Sequence, residues 1–276
     1  MIEVGKKTTL EIKRLTPQGA YLSDGQSDVL LPSRQVPEGA GTGDEVTVFI
    51  YRDSKDRIIS TTREPLIHLG EIARLRVKQV TKIGAFLDMG LERDLLLPFH
   101  EMTRQPGEGD QVLVAMYTDK SGRLCATEKL YEYLESGPDY KKDDEVTGTL
   151  YEISRNFGAF VAVDDRYSAL IPAREFGGEA KPGDTVTCRV TGVKSDGRLD
   201  LSLRKKAYLQ INEDAERLLE RIRADGKLPF TDKADPEMIR SETGLSKAAF
   251  KRAVGHMLKE KLIVIKEDGI YERDKH

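Results

Sequence analysis

From the N-terminus to about residue 200, apolar and polar side chains alternate with a period of two. Val46, Val48 and Ile50 interleave with polar or aromatic neighbours and Val186, Cys188 and Val190 with polar ones, while Val112, Val114 and Met116 keep the same spacing between Gln111 and Tyr117. Such alternation marks strands that bury one face. The runs are short and bounded by Gly-Asp or Gly-Arg pairs, so they predict short strands joined by turns, without a convincing amphipathic helix. After Leu203 the spacing changes. Ile211, Ala215, Leu218 and Ile222 recur every three or four residues, the period of a helix face, and Gly226 supplies a stop.

The strand-rich part repeats itself. Three segments share one order of features: an alternating strand, Gly-Ala-aromatic-aliphatic, an aliphatic pair ending in Pro, Gly-Asp before a long strand, and Arg before a final one. Gly19, Gly84 and Gly158 are equivalent, as are Pro32, Pro98 and Pro172, and Gly43, Gly109 and Gly183. The first two units are offset by 65 to 66 residues and the last two by 74. The extra residues fall in YEYLESGPDYKK, whose Gly137-Pro138 reads as a linker.

Five short strands per unit would leave exposed edges in an open sheet, and closure into a small barrel removes them. Three tandem five-stranded barrels are expected, over residues 1–64, 65–130 and 143–205, with a linker at 131–142. Cores this thin favour barrels packed on one another. The chain is read as mainly β, with a C-terminal α+β unit over 206–276.

In that last unit, Asp235-Pro236 reads as a helix N-cap with Pro at the first position, Met238 and Ile239 as apolar contacts, and Gly244 as a stop. Ser246 caps a third helix, with Phe250, Val254, Met257 and Leu258 as its buried stripe. Lys247, Lys251 and Lys259 share its outer face, and Arg252 and His256 adjoin it. LIVIKEDGIYER then reads as a hairpin about Asp268-Gly269. Three helices closed by a hairpin look like a winged helix-turn-helix, with residues 246–261 in the recognition position.

Charge limits what the chain can bind. The net charge is −3, so no general positive field draws in nucleic acid, and any such binding depends on local faces. Residues 131–205 hold 11 basic side chains against 14 acidic ones, and residues 206–276 hold 15 against 14. No apolar run is long enough to span a bilayer and the N-terminus has no signal-peptide core, so a cytoplasmic protein is expected. Cys125 and Cys188 lie far apart without a CxxC, which argues against a disulfide or a zinc site. His68, His100, His256 and His276 are scattered, and no phosphate loop, nucleophile elbow or metal-protease motif occurs. Neither a cofactor nor an enzyme is expected. Asp143-Asp144 and Asp164-Asp165 read as solubilising pairs, and Tyr51 and Tyr117 as packing residues.

The third unit, through VTGTLYEISRNFGAFVAV, SALIPAREF and GDTVTCRVTGVKSDGRLDLSLR, resembles the S1 RNA-binding domain, an OB-fold barrel. The first two units follow the same plan less closely. Three such barrels before a winged helix resemble the conserved virulence factor B family of RNA-binding regulators. The resemblance implies single-stranded RNA as partner, a role in post-transcriptional control of gene expression, and a stacking site on Phe157 and Phe160, with Arg198 as a phosphate or base contact. A bulge or sharp coil at Gly158 would bring both rings to one surface.

Departures from the family pattern locate the site further. Pro32, Pro98 and Pro172 stand where the family often has a histidine, with His100 an alternative to it in the second unit. Lys194 stands where an aspartate is usual, and Arg155 lies nearby. The first aromatic is replaced by Gln18 and Ile83 upstream, leaving Tyr21 and Phe86, followed by Arg57 and Arg123. Each of these aromatics is read either as a stacking surface or as packing, and each arginine either as a nucleic-acid contact or as the partner of a nearby acid. Two readings of other classes stay open. One is a DNA-binding regulator that uses the winged helix on duplex DNA or structured RNA. The other is a scaffold docking to ribosomes or ribonucleases. The sequence does not specify an oligomeric state.

Overall fold

A computed structural model describes residues 2–137, 139–204 and 207–273; Pro138 and His276, noted in the sequence, lie outside them. Two compact units result, Met1–Leu203 and Arg204–His276. The first holds three closed five-stranded barrels. The first barrel comprises β1 (Lys7–Thr16), β2 (Gly19–Ser23), β3 (Asp28–Pro32), β4 (Glu45–Arg52) and β5 (Ile58–Thr61). The second comprises β6 (Ile72–Thr81), β7 (Gly84–Leu87), β8 (Leu95–Pro98), β9 (Gln111–Thr118) and β10 (Leu124–Thr127). The third comprises β11 (Glu145–Ser154), β12 (Gly158–Val163), β13 (Tyr167–Pro172), β14 (Thr185–Val193) and β15 (Leu199–Ser202).

Closure depends on the long first strand of each barrel. In the third, Glu145–Thr149 pairs with β14 while Gly148–Ser154 pairs with β12, so one strand serves two neighbours. Between those partners the register slips by one residue, at Lys13, Lys78 and Tyr151. A one-residue bulge bends a strand and re-aims its side chain. In the first two barrels the re-aimed residue is a lysine paired with Asp28 or Asp94. In the third it is Tyr151, which leaves the barrel interior to join Leu113, Ala115, Leu130 and Ala162 in the contact between the second and third barrels.

Gly19, Gly84 and Gly158 each begin a second strand opposite Pro32, Pro98 and Pro172. A Cβ there would lie 1.9–2.1 Å from the carbonyl oxygen of Leu31, Leu97 or Ile171, so only glycine fits. Gly158 (φ +116°) is thus a close-approach position and not the expected bulge, which falls one strand away at Tyr151.

The alternating residues fill the barrels. Ile12, Leu22, Leu31 and Ile50 are buried in the first; Leu75, Leu87, Leu97 and Met116 in the second; Leu150, Val161, Ile171 and Leu201 in the third. Full burial of such a side chain contributes about 1.5–3 kcal/mol. Phe49 and Tyr51 of β4 belong to the second barrel's cluster, which fuses it to the first. Cys125 and Cys188 are buried free thiols in different barrels, and burial pushes both up to about 11.

Two expectations need correction here. The segment after β10 packs as more than a tether: Leu130 is buried, Tyr133 and Leu134 rest on the same cluster, and Glu135 bridges to Tyr167. Asp164 and Asp165 are engaged, not merely solubilising. Tyr140 donates its hydroxyl to Asp164, while Asp165 accepts from Arg74 of the second barrel at 2.9 Å and from Thr149 at 2.8 Å. Both aspartates have positive φ, where a short polar side chain is better tolerated than most, so turn geometry and ion pairing share these positions.

The second unit contains α1 (Ala207–Asp225), α2 (Pro236–Thr243), α3 (Lys247–Lys259), β16 (Ile263–Lys266) and β17 (Gly269–Glu272), a winged helix. Asp235 accepts the Glu237 amide and Ser246 that of Ala249, so both expected N-caps form. The buried face of α3 is Phe250, Ala253, Val254 and Met257; Leu258 is exposed, because at about 100° per residue it lies about 90° from the centre of that face, beyond Val254, whereas Ala253 lies about 50° from it. On α2, Ile239 is buried and Met238 exposed. The hairpin loop is Glu267-Asp268, one residue earlier than expected. Gly269 already pairs with Lys266, and a Cβ there would strike the Leu228 carbonyl oxygen at 2.2 Å.

Candidate nucleic-acid interface

The loop between β11 and β12 carries Phe157 out of the third barrel, where it is 63% exposed. Phe160, two residues into β12, is half-buried with its ring centroid 6.5 Å from that of Phe157 at 59°. Behind it stands the bulged Tyr151, at 6.1 Å, and at its edge Tyr131, at 6.0 Å and 88°. Ring pairs at such distances hold one another's orientation. Tyr131, Phe157, Phe160, Ser168, Ala169, Leu170, Lys194 and Arg198 line one pocket of about 340 Å³. Although this barrel is acidic overall, the charged residues lining the pocket are the two cations.

Lys194 and Arg198 are the ends of the β14–β15 turn, closed by the Lys194 amide donating to the Arg198 carbonyl at 2.8 Å. Lys194 lies 3.2 Å from Asp200, and Arg198 3.7 Å from Asp196. All four side chains are at least one-third exposed, so these pairs are weak and exchangeable. The Arg198 guanidinium also stands 4.7 Å from the Tyr131 ring centroid. Arg155 is exposed but does not line the pocket.

Tyr131 is the residue that sequence reasoning missed, since its segment reads as a linker. Its position comes from the residues that follow: Glu135 donates to Arg166 and accepts from Ser168, and Gly137 donates to Gly197 at 3.0 Å, which ties residues 131–137 alongside β13 and the β14–β15 turn. The signal was the YEYL text in the insert, too apolar and aromatic for a free tether.

The equivalent faces of the other barrels differ chemically. In the first, Gln18 replaces the leading aromatic, the Arg14 guanidinium covers the Tyr21 ring at 3.9 Å, and Arg57 is clasped by Asp53 at 2.9 and 2.6 Å. In the second, Ile83 stands exposed beside half-buried Phe86, and Arg123 faces Asp56 at 3.3 and 3.4 Å. The turn position of Lys194 holds Asp53 and Asp119 there, as the matching amide-to-carbonyl bonds to Arg57 and Arg123 establish. Asp119 is held below the usual carboxylate range by the Arg123 amide and the Ser121 hydroxyl. His100 is exposed beside Glu101.

In the winged helix, Lys251, Arg252 and Lys259 are exposed on α3, with Lys247 and His256 half-buried at the edges. At the wing tip Asp268 accepts from Lys227 and from the Tyr271 hydroxyl, both at 2.6 Å. Among the described residues, no helix is long and apolar enough to cross a membrane, and no cluster of three or more His, Cys, Asp or Glu is placed to hold a metal ion.

Comparison with known proteins matches each part of this architecture. Residues 4–63 and 69–129 match the S1 domain, residues 132–205 the second domain of virulence regulatory factor CvfB, and residues 216–271 the CvfB-like winged helix domain. The barrel with the fullest S1-like text is thus matched by the family's own domain. Protein YitL of Bacillus subtilis is 33% identical over 98% of this chain and 93% of its own length. Conserved virulence factor B of Staphylococcus saprophyticus is 28% identical over 83% of this chain and 79% of its own. A crystal structure of a multidomain protein with nucleic acid binding domains from Streptococcus pneumoniae covers 98% of both chains, with a TM-score of 0.51 and 22% identity, and shares the fold. With two S1 domains, the CvfB second domain and the CvfB-like winged helix in order along it, the chain belongs to the CvfB family.

Proposed function

We propose that this protein is a non-enzymatic RNA-binding regulator that holds unpaired nucleotides in the aromatic pocket of its third barrel and acts in post-transcriptional control of gene expression. The observation that carries this reading is the convergence of Phe157, Phe160 and Tyr131 with Lys194 and Arg198 on one open pocket. Single-strand binding requires ring faces for bases and cations for the backbone, and stacking contributes about 1–3 kcal/mol per base. The relatives' designation as virulence factors and the nucleic-acid-binding description of the pneumococcal protein agree with it. The exposed cations of α3 offer a further phosphate contact.

Fluorescence anisotropy with single-stranded RNA, single-stranded DNA and duplex DNA at two salt concentrations tests the reading. Replacing Phe157 and Phe160 together by Ala is expected to weaken single-stranded RNA binding at least tenfold, and Tyr21→Ala or Phe86→Ala by less than twofold. Equal losses, or duplex outcompeting single strands with Lys251→Ala the more damaging change, would reject it in favour of a DNA-binding winged helix.

A further inference from the structure

A second cleft, of about 830 Å³, lies between the first and second barrels. We propose that this cleft is a second anion site, taking the phosphate of a nucleotide on Arg34, Arg63 and Arg93 above an apolar floor. The floor is Pro32, Val36, Tyr51 and Ile59, from the end of β3, the turn after it, and the outer face of β4 and β5. Its volume suits a ligand of nucleotide size.

Three guanidiniums reach the cleft from three segments: the 3-10 turn Ser33–Gln35, the stretch after β5, and the loop before β8. Arg34 is exposed and makes no ion pair with a described residue. Arg93 is fixed by donating to the Asp53 carbonyl, which anchors this part of the second barrel to the first. Arg63 meets Glu92 at 3.8 Å with both side chains more than half exposed, a contact that a phosphate can displace.

The other acid in the cleft, Asp53, is already neutralised. Its carboxylate accepts the amides of Lys55 and Arg57 and two nitrogens of the Arg57 guanidinium. Gln35 spends its side-chain carbonyl on Thr61 and Thr62, which leaves its amide NH₂ as a donor. Guanidiniums with a neutral donor and an apolar floor match a phosphate ester carrying a ring, and guanidinium binds phosphate bidentately. The phosphate can belong to a free nucleotide or to a strand that also occupies the third barrel.

Calorimetric titration of the full chain separates these sources and tests the site. The probes are adenosine 5′-diphosphate and single-stranded RNAs of about 6 and about 30 nucleotides, and the variants are Arg34→Gln with Arg63→Gln and Phe157→Ala with Phe160→Ala. A free-nucleotide site is shown by diphosphate binding that falls at least tenfold in the arginine pair and persists in the phenylalanine pair. A strand site is shown by a loss of fivefold or more on the long RNA alone in the arginine pair, with a shallower salt dependence. If the arginine pair binds every probe as the parent does, the cleft site is overturned. Should the phenylalanine pair still lose RNA in that case, the third-barrel reading stands without it. Arg34→Glu, at an exposed side chain, repeats the test should the double variant fold poorly.

Discussion

Arg198 and Tyr131 meet across a gap of 67 residues, with the guanidinium 4.7 Å from the ring centroid. The contact joins the β14–β15 turn to the segment leaving the second barrel. It holds the arginine over the same pocket that Phe157 and Phe160 border. A cation positioned on an aromatic face costs less to order when a phosphate arrives than one swinging in water.

Tyr131 is therefore expected to contribute to binding through its ring. Tyr131→Ala should weaken single-stranded RNA binding by about five- to tenfold, within the range of one stacking or cation–π interaction. Tyr131→Phe should keep most of the affinity. Anisotropy titrations of the two variants check this, and an equal loss in both would transfer the effect from the ring to the hydroxyl.

The turn charge separates the third barrel from the other two, since Lys194 occupies the place of Asp53 and Asp119. Lys194→Asp gives the third turn the sign of the others and adds a carboxylate to the pocket rim. RNA affinity should fall at least tenfold, and the slope of log K against log salt should become shallower by about one for each phosphate no longer neutralised. A slope unchanged from the parent would show that Lys194 faces no phosphate.

Gly158→Ala tests the backbone geometry beneath the site. The added Cβ would lie 2.0 Å from the Ile171 carbonyl oxygen at a φ of +116°, so β12 and β13 must separate or the loop must rotate. A loss of about 2–4 kcal/mol in denaturant unfolding is expected, together with weakened RNA binding as Phe157 moves. Full stability in this variant would show that the strands can give way there.

The barrels were legible because one repeat wrote their landmarks three times. Gly158 opposite Pro172, and the alternation of Val186, Cys188 and Val190, each follow from a local rule about strands. The caps Asp235 and Ser246 were legible for the same reason. The bulge was not. Two polar lysines, Lys13 and Lys78, and the aromatic Tyr151 occupy it, because what selects the position is the bend needed for closure, a property of the paired sheet. Tyr131 and the Arg74–Asp165 contact are non-local in the same sense, since they depend on how one barrel seats on the next. The arginine cleft also escaped notice, as its cations lie about 30 residues apart in sequence.

Asp165 tests that seating. It accepts from Arg74 of the second barrel and from Thr149 of its own. Asp165→Asn keeps a side chain that tolerates the local φ of 56° but removes the charge. Because the pair is 30–40% exposed, a loss of only about 0.5–1.5 kcal/mol is expected in thermal unfolding, and it should shrink at high salt. A loss that salt leaves unchanged would identify hydrogen bonding, not charge, as the main contribution.

Glu128 makes the stability of the second barrel depend on pH. It is buried at the end of the last strand, where desolvation raises its pKa above the usual 4.5, against the opposing pull of the Thr103 and Arg104 amides. The folded state therefore holds its proton to higher pH than the unfolded state. The resulting contribution to stability is fully present below the unfolded pKa and is lost as pH rises through the folded one. Glu128→Gln keeps a carbonyl acceptor for the Thr103 amide and cannot ionise. Chemical denaturation from about pH 4 to pH 7 should show the parent losing stability relative to this variant as pH rises. A difference that stays constant, or that grows in favour of the parent, would mean that the amides hold the carboxylate charged despite its burial.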